Sequence, residues 1–291
     1  MVKPGFLKND NLIAWLGGIE PMWSHLEFES YCRLQRRPGE EDPAMQLATN
    51  LTEAEAQLSP LVAALLALLC MAREKGGVKL TTGGGLTRAV ITPIAEICDG
   101  PAYDLALIRS VTKVLNEADV WPAELLRHVA LEMRLVRRVG RSLTLTAKGR
   151  ATLETGGCGG LMVHLFETVF WRVNLGHWDG YPVPTWPQSY IGIIAWSLAR
   201  AASTWESPAH LARYSTIPVI GVLEAQDDFA GHAFELRILR ILAIFGLLEA
   251  KKDGNSPNRF VSVRHYRKSQ LYDRFFSFNV TLEPIVGGTR H

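Results

Sequence analysis

The stretch GHWDG at 176–180 sets His177 and Asp179 two residues apart. An imidazole and a carboxylate so placed could share a proton or hold a metal. No nucleophile and no third ligand stands near them, so neither acid–base nor metal chemistry is expected there. The glycines at 83–85 lack the Lys-Ser/Thr that completes a phosphate loop, and read as a turn between a strand and a helix. Cys32, Cys70, Cys98 and Cys158 are scattered without short spacing, which argues against a zinc site and a disulfide framework. The terminal His291 is isolated. No catalytic residue, metal ligand or cofactor is assigned, and the expectation is a non-enzymatic protein.

The chemistry that remains belongs to cations. Residues 134–150, RLVRRVGRSLTLTAKGR, hold five arginines and one lysine around the β-type run Ser142–Leu145. The wider span 109–152 has nine basic and four acidic side chains, and span 237–274 has nine basic and three acidic. Residues 1–57 run the other way, with five basic and nine acidic. Formal net charge is only +2, so attraction to a polyanion would be local. A guanidinium on an exposed ribbon can make charge-assisted bonds to phosphate oxygens. The residues expected to do so are Arg127, Arg134, Arg137, Arg138, Arg141, Lys148 and Arg150 in the first island. In the second they are Lys251, Lys252, Arg259, Arg264, Arg267 and Lys268.

Two helices carry counter-signals. Glu124, His128 and Glu132 fall at i, i+4 and i+8 on one face of the helix at 122–133, and its carboxylates would repel phosphate. The helix near 230–250 presents Phe234, Ile238, Ile241, Leu242 and Phe245 on one side, with Arg237 and Arg240 interrupting the run. It reads as core or interface. The aromatic cluster Trp171, Trp178, Tyr181, Trp186, Tyr190 and Trp196 could stack bases, but helical spacing and three nearby prolines favour a local core.

These residues need elements to hold them. At 291 residues, 47% hydrophobic and 21% charged, the chain has a folded globular composition with room for two domains. Met22–Gln35 and Leu51–Gln57 have helical character, and Thr52 with Glu55 resembles a capping box. RRPGEEDP at 36–43 reads as a break. Ser59 and Pro60 suit the start of a central helix to Glu74. Its apolar run Leu61–Met71 is about half the roughly 20 residues of a membrane span. A strand at 78–81 and helices at 86–98, 105–116 and 122–133 follow. Then comes a ribbon turning at Gly140, and a helix from Thr146. GGCGG at 156–160 marks a boundary, because glycine resists regular structure. Helices at 161–173, 189–202, 206–214 and 230–250 lead to a second ribbon over 248–263 and a closing helix at 268–278.

The two halves repeat one pattern: an apolar helix, a leucine-bearing strand, a charged turn, a β-rich strand and a basic helix start. A helical trio followed by a hairpin is the winged-helix plan. The expected fold is mainly α with short β-hairpins (α+β), two winged-helix-like units in tandem. The expected division is an N-terminal helical appendage at 1–57, units at 58–155 and 160–282, and a tail at 283–291.

KLTTGGGLTRAVI at 79–91, VLNEADVWPAELLRHVALEMRLVRR at 114–138 and LTLTAKGRATL at 143–153 resemble a group of uncharacterised bacterial proteins. That group carries K-L-T-x-x-G and L-T-x-x-G-R motifs and is often plasmid- or transposon-encoded. The resemblance extends to FGLLE and LYDRFFSF and implies winged-helix architecture and a mobile-element setting. At Met133-Arg134 this chain departs from the usual small residue or glycine. The expected function is a cytoplasmic, regulatory, nucleic-acid-associated protein making backbone contacts to duplex or single strands. The alternative is an interaction subunit whose winged helices bind partner chains. No signal core opens the sequence, and no membrane contact is expected.

Overall fold

The computed structural model describes residues 10–155, 158–181, 183–225, 228–253 and 264–283. The N-terminal part contributes α1 (Asp10–Leu16), α2 (Phe28–Leu34), β1 (Met45–Leu47) and α3 (Glu53–Gln57). Thr52 and Glu55 close the capping box reciprocally at the start of α3. The helix read over 22–35 is broken: a 3-10 turn at Met22–His25 gives way to extended backbone at Leu26 before α2. Leu26, Leu34, Ala44, Met45 and Leu51 lie in the same hydrophobic core as both later units.

The first unit is built around α4 (Pro60–Glu74). Ser59 accepts from the Val62 N–H and Pro60 occupies the first turn. Leu61, Leu65, Leu68 and Leu69 are fully buried, and each such side chain contributes roughly 1.5–3 kcal/mol. β2 (Val78–Lys79), α5 (Arg88–Ile97), α6 (Leu105–Val111) and α7 (Trp121–Glu132) follow. The hairpin β3 (Val136–Val139) and β4 (Ser142–Leu145) then leads into α8 (Ala147–Thr155). The sheet order is β2-β4-β3, antiparallel throughout, with Val136 opposite Leu145 and Val78 opposite Leu143.

The second unit begins with α9 (Cys158–Trp171), so Gly159 and Gly160 are helical rather than a break. A Cβ on Gly159 would lie 2.9 Å from the carbonyl oxygens of Thr49 and Leu51. The glycine there serves close backbone approach. α10 (Ile191–Ala201), α11 (Pro208–Ser215), α12 (Ile220–Leu223), α13 (Phe229–Phe234) and α14 (Arg240–Ile244) come next, with a π turn at Glu235–Leu239 joining the last two. β5 (Leu248–Lys252) pairs β6 (Arg264–Lys268), so the described return strand starts one residue beyond the span read from sequence. Residues 254–263, including Arg259, lie outside the described residues. α15 (Gln270–Phe275) is shorter than expected because the chain extends into β7 (Phe276–Phe278), which pairs with β1.

The junctions between helix and hairpin use the same hydrogen bonds in the two halves. After the helix that precedes each hairpin, the chain takes one left-handed residue, Arg134 (φ 57°) or Gly246 (φ 76°). The next N–H, of Leu135 or Leu247, returns to the carbonyl of Ala130 or Leu242 at 2.9 Å in both. Thr146 Oγ1 donates to the Arg134 carbonyl and Ser269 Oγ to the Gly246 carbonyl, each at 2.7 Å. The edge strand β2 on β4 has its counterpart in Glu206, bridged to Tyr266 on β6.

Candidate nucleic-acid interface

The first hairpin buries Val136, Leu143 and Leu145 against the helices. Strand alternation turns Arg137, Val139, Ser142 and Thr144 to the opposite face, and the register adds Lys79 beside Ser142. Arg138 and Arg141 fold back at the ribbon end. Arg138 Nε donates to the Gly140 carbonyl (3.1 Å) and its guanidinium lies against Gly84. Arg141 Nη2 donates to Thr82 Oγ1 (3.1 Å). Two guanidinium groups are thus held on the turn at 81–84. Lys148 Nζ donates to the Met133 carbonyl at the end of α7, and Arg150 Nη1 to the Leu145 carbonyl. Arg134, Arg137, Arg138, Arg141, Lys148 and Arg150 are all exposed. Among the described residues, no carboxylate pairs with any of the six.

Arg127 is different. It is 16% exposed, and its Nε donates to Glu117 Oε1 at 2.8 Å. The same carboxylate oxygen accepts the Leu86 N–H at 3.0 Å. Arg127 therefore anchors the start of the 86–97 segment to α7. The outward face of α7 is covered by the loop after α9. The Trp178 ring meets His128 edge-on, centroids 5.5 Å apart, and Arg172 reaches Glu132 at 3.9 Å. Burial, then the neighbouring Arg127 charge, lowers the His128 pKa below its ordinary value.

The covering loop is fastened from the second unit. Arg237 is 1% exposed, and its Nε and Nη2 meet Asp179 Oδ2 and Oδ1 at 2.5 and 2.7 Å. Its Nη1 also donates to the Val183 and Trp186 carbonyls. Sequence reasoning noticed Asp179 and Arg237 separately and missed the pair. The usable signal was an arginine inside an apolar helix, which needs a buried partner. Trp186 donates to the Ile217 carbonyl at 2.9 Å, and the other aromatics pack on the core, as a local-core reading requires.

The described cations of the second hairpin are engaged within the chain. Lys252 pairs with Asp104, Arg267 with Glu249 and Lys268 with Asp273. Arg264 donates to the Pro101 carbonyl at 2.7 Å and to Glu235 at 3.1 Å. Glu235 also accepts from Arg240 and from the Tyr266 hydroxyl. Burial first, and then the Glu235 charge, raises the Tyr266 phenol well above its ordinary range. Lys251 and Arg267 lie over the Trp205 ring, 4.5 and 4.7 Å from its centroid. Lys252 and Arg264 thereby tie this hairpin to the 101–104 segment of the first unit. No group of three or more His, Cys, Asp or Glu that could hold a metal ion occurs among the described residues, and none of their helices is long and apolar enough to cross a membrane.

The segment that carries the unpaired cations of the first hairpin also matches a family model. Residues 57–157 match the family described as the Y4jL N-terminal domain. The Y4jL-matching segment begins at the end of α3 and runs through α8, so it holds the whole first hairpin and excludes the second. A protein of Sinorhizobium fredii (strain NBRC 101917 / NGR234), the uncharacterized protein y4jL, is 36% identical over 95 residues. Those residues are 33% of this chain and 43% of y4jL, so the match spans less than half of that relative. No solved structure matches the chain.

Proposed function

We propose that the chain is a non-enzymatic, nucleic-acid-associated protein of two tandem winged-helix units, in which the first hairpin alone engages phosphate. The winged-helix reading is supported by a set of helices followed by a hairpin in each half, with an edge strand on the first hairpin and a single bridge on the second. The partner reading rests on one observation: six exposed cations on and beside the first hairpin have no carboxylate partner among the described residues. Uncompensated guanidinium groups on a ribbon match phosphate geometry, and backbone contact of this kind carries little sequence information. Base readout by α7 is not part of this proposal, because Trp178 and Arg172 cover its outward face. Duplex binding by anisotropy at low salt tests it. The variant carrying Arg137→Ala, Arg138→Ala and Arg141→Ala should bind at least tenfold more weakly on every sequence tried. Equal binding by the variant removes the hairpin as a contact.

The Glu132 carboxylate, still half exposed at the end of α7 beside Arg172, supports a second reading, in which the unit docks on protein. Glu132→Gln separates the two. It leaves nucleic-acid binding equal or tighter, and it weakens a partner that uses this carboxylate.

A further inference from the structure

A pocket of about 450 Å³ lies away from both hairpins, between α1, the 17–21 turn and α2. Leu12, Leu16, Trp23, Leu26 and Tyr31 line it, with Ile217 of the second unit. Trp23 is fixed by an Nε1–H bond to the Thr216 carbonyl at 2.8 Å, and Phe28 stacks on Tyr31. Ile13 and Phe28 extend the apolar surface outward, at 61% and 53% exposure. The volume is in the range of formed binding sites, roughly 300–1,000 Å³.

The described chain that forms this pocket is rich in carboxylates, and Arg33 near the end of α2 is already paired with Asp42. Residues 10–31 hold Asp10, Glu20, Glu27 and Glu29 and no lysine or arginine. Glu20 meets His25 at 3.2 Å. Asp10, Glu27 and Glu29 form no ion pair among the described residues. We propose that this pocket docks a lysine- or arginine-rich amphipathic helix of a partner protein. Its bulky apolar anchors enter the pocket while its cations meet the carboxylates. An anionic ligand is disfavoured by all four charges. A single cationic headgroup would engage only part of a set that runs from α1 across the turn to α2. The chain's own first hairpin is basic, but its exposed apolar residue, Val139, is too small to fill a space lined by tryptophan and tyrosine. Helix-in-groove recognition reads such anchors at i, i+3, i+4 and i+7.

The test uses the full chain and a labelled synthetic helix with Leu and Phe at those anchor positions and Lys elsewhere. One control replaces every Lys with Glu, and another scrambles the anchors around the helix at constant composition. The ordered cationic helix should bind at least tenfold more tightly than either control. Ile13→Asp with Phe28→Ser, both at exposed positions, should weaken it at least tenfold. Glu27→Gln with Glu29→Gln should weaken it several-fold and flatten its salt dependence. Circular dichroism and sedimentation should find every variant folded and monomeric. Equal binding of the scrambled control, or no effect of the Ile13 and Phe28 changes, overturns the proposal. Concentration-dependent self-association abolished by those same changes overturns it too, in favour of a second copy as the occupant.

Discussion

Thr146 and Ser269 close the two hairpins with the same bond to the same relative carbonyl, yet the cations beyond them have different fates. In the second hairpin, Lys252, Arg264, Arg267 and Lys268 all end on acceptors of this chain. In the first, Arg138 and Arg141 are braced on neutral atoms, and no carboxylate among the described residues offsets them. Similar basic runs on one backbone plan thus become an intramolecular clamp in one half and an open cationic surface in the other. What decides the outcome is the supply of carboxylates within reach, which the plan itself does not determine.

The largest expected effects probe how differently the halves bury charge. Asp179→Asn removes the counter-charge of an arginine that is 1% exposed, and an uncompensated buried charge costs about 3–5 kcal/mol. Glu117→Gln should cost only about 1–3 kcal/mol, because Arg127 is 16% exposed and water reaches its charge. Urea unfolding of both variants measures this. Comparable losses would mean the halves do not differ in this way.

Next come the paired left-handed residues. At Gly246 a Cβ would meet the Leu58 carbonyl oxygen at 2.4 Å. Gly246→Ala should therefore cost about 2–5 kcal/mol, from backbone strain plus overpacking. The opposite change in the other half, Arg134→Gly, should stabilise by about 0.5–1 kcal/mol. That is the relief of left-handed strain less glycine's extra chain entropy. Thermal unfolding of the two variants should move the midpoint in opposite directions.

A smaller effect belongs to pH. His128 faces Arg127, Glu124, Glu117 and His177, and its folded pKa is lowered, chiefly by burial. The unfolded chain then holds more protons on this residue near its ordinary pKa of about 6.5. Its contribution to stability is complete above that pH and is lost as pH falls toward the folded value. The difference in unfolding midpoint between pH 7.5 and pH 5 should shrink in His128→Gln. An unchanged difference assigns the acid sensitivity to other groups.

Much of this arrangement was legible in the sequence. Ser59-Pro60 and Thr52 with Glu55 mark helix starts by local chemistry, and both starts are where the residues put them. The hairpin at 136–145 followed from Gly140 between β-type runs. The departure noted at Met133-Arg134 has a physical counterpart, because Arg134 stands where the second half uses glycine. Long-range facts were hidden. Residues 158–160 are helical with the backbone at 49–51 packed against Gly159, and Phe276–Phe278 are a strand because β1 lies alongside. The cations read from sequence did not include Lys79, which the sheet register sets beside Ser142, and composition could not separate Arg137 from Arg264. Only the fold brings Glu235 and the Pro101 carbonyl to Arg264 and leaves Arg137 facing outward.

The salt dependence of duplex binding tests the central claim most directly. It should be measured for the wild-type chain, the Arg137→Ala, Arg138→Ala, Arg141→Ala variant and a Lys251→Ala, Arg267→Ala variant. Each phosphate neutralised contributes about −0.9 to the slope of log affinity against log salt. The first-hairpin variant should flatten the slope by about two to three, while the second-hairpin variant leaves it within about one of wild type. Equal flattening by both variants, or none by the first, would contradict the assignment of phosphate contact to the first hairpin.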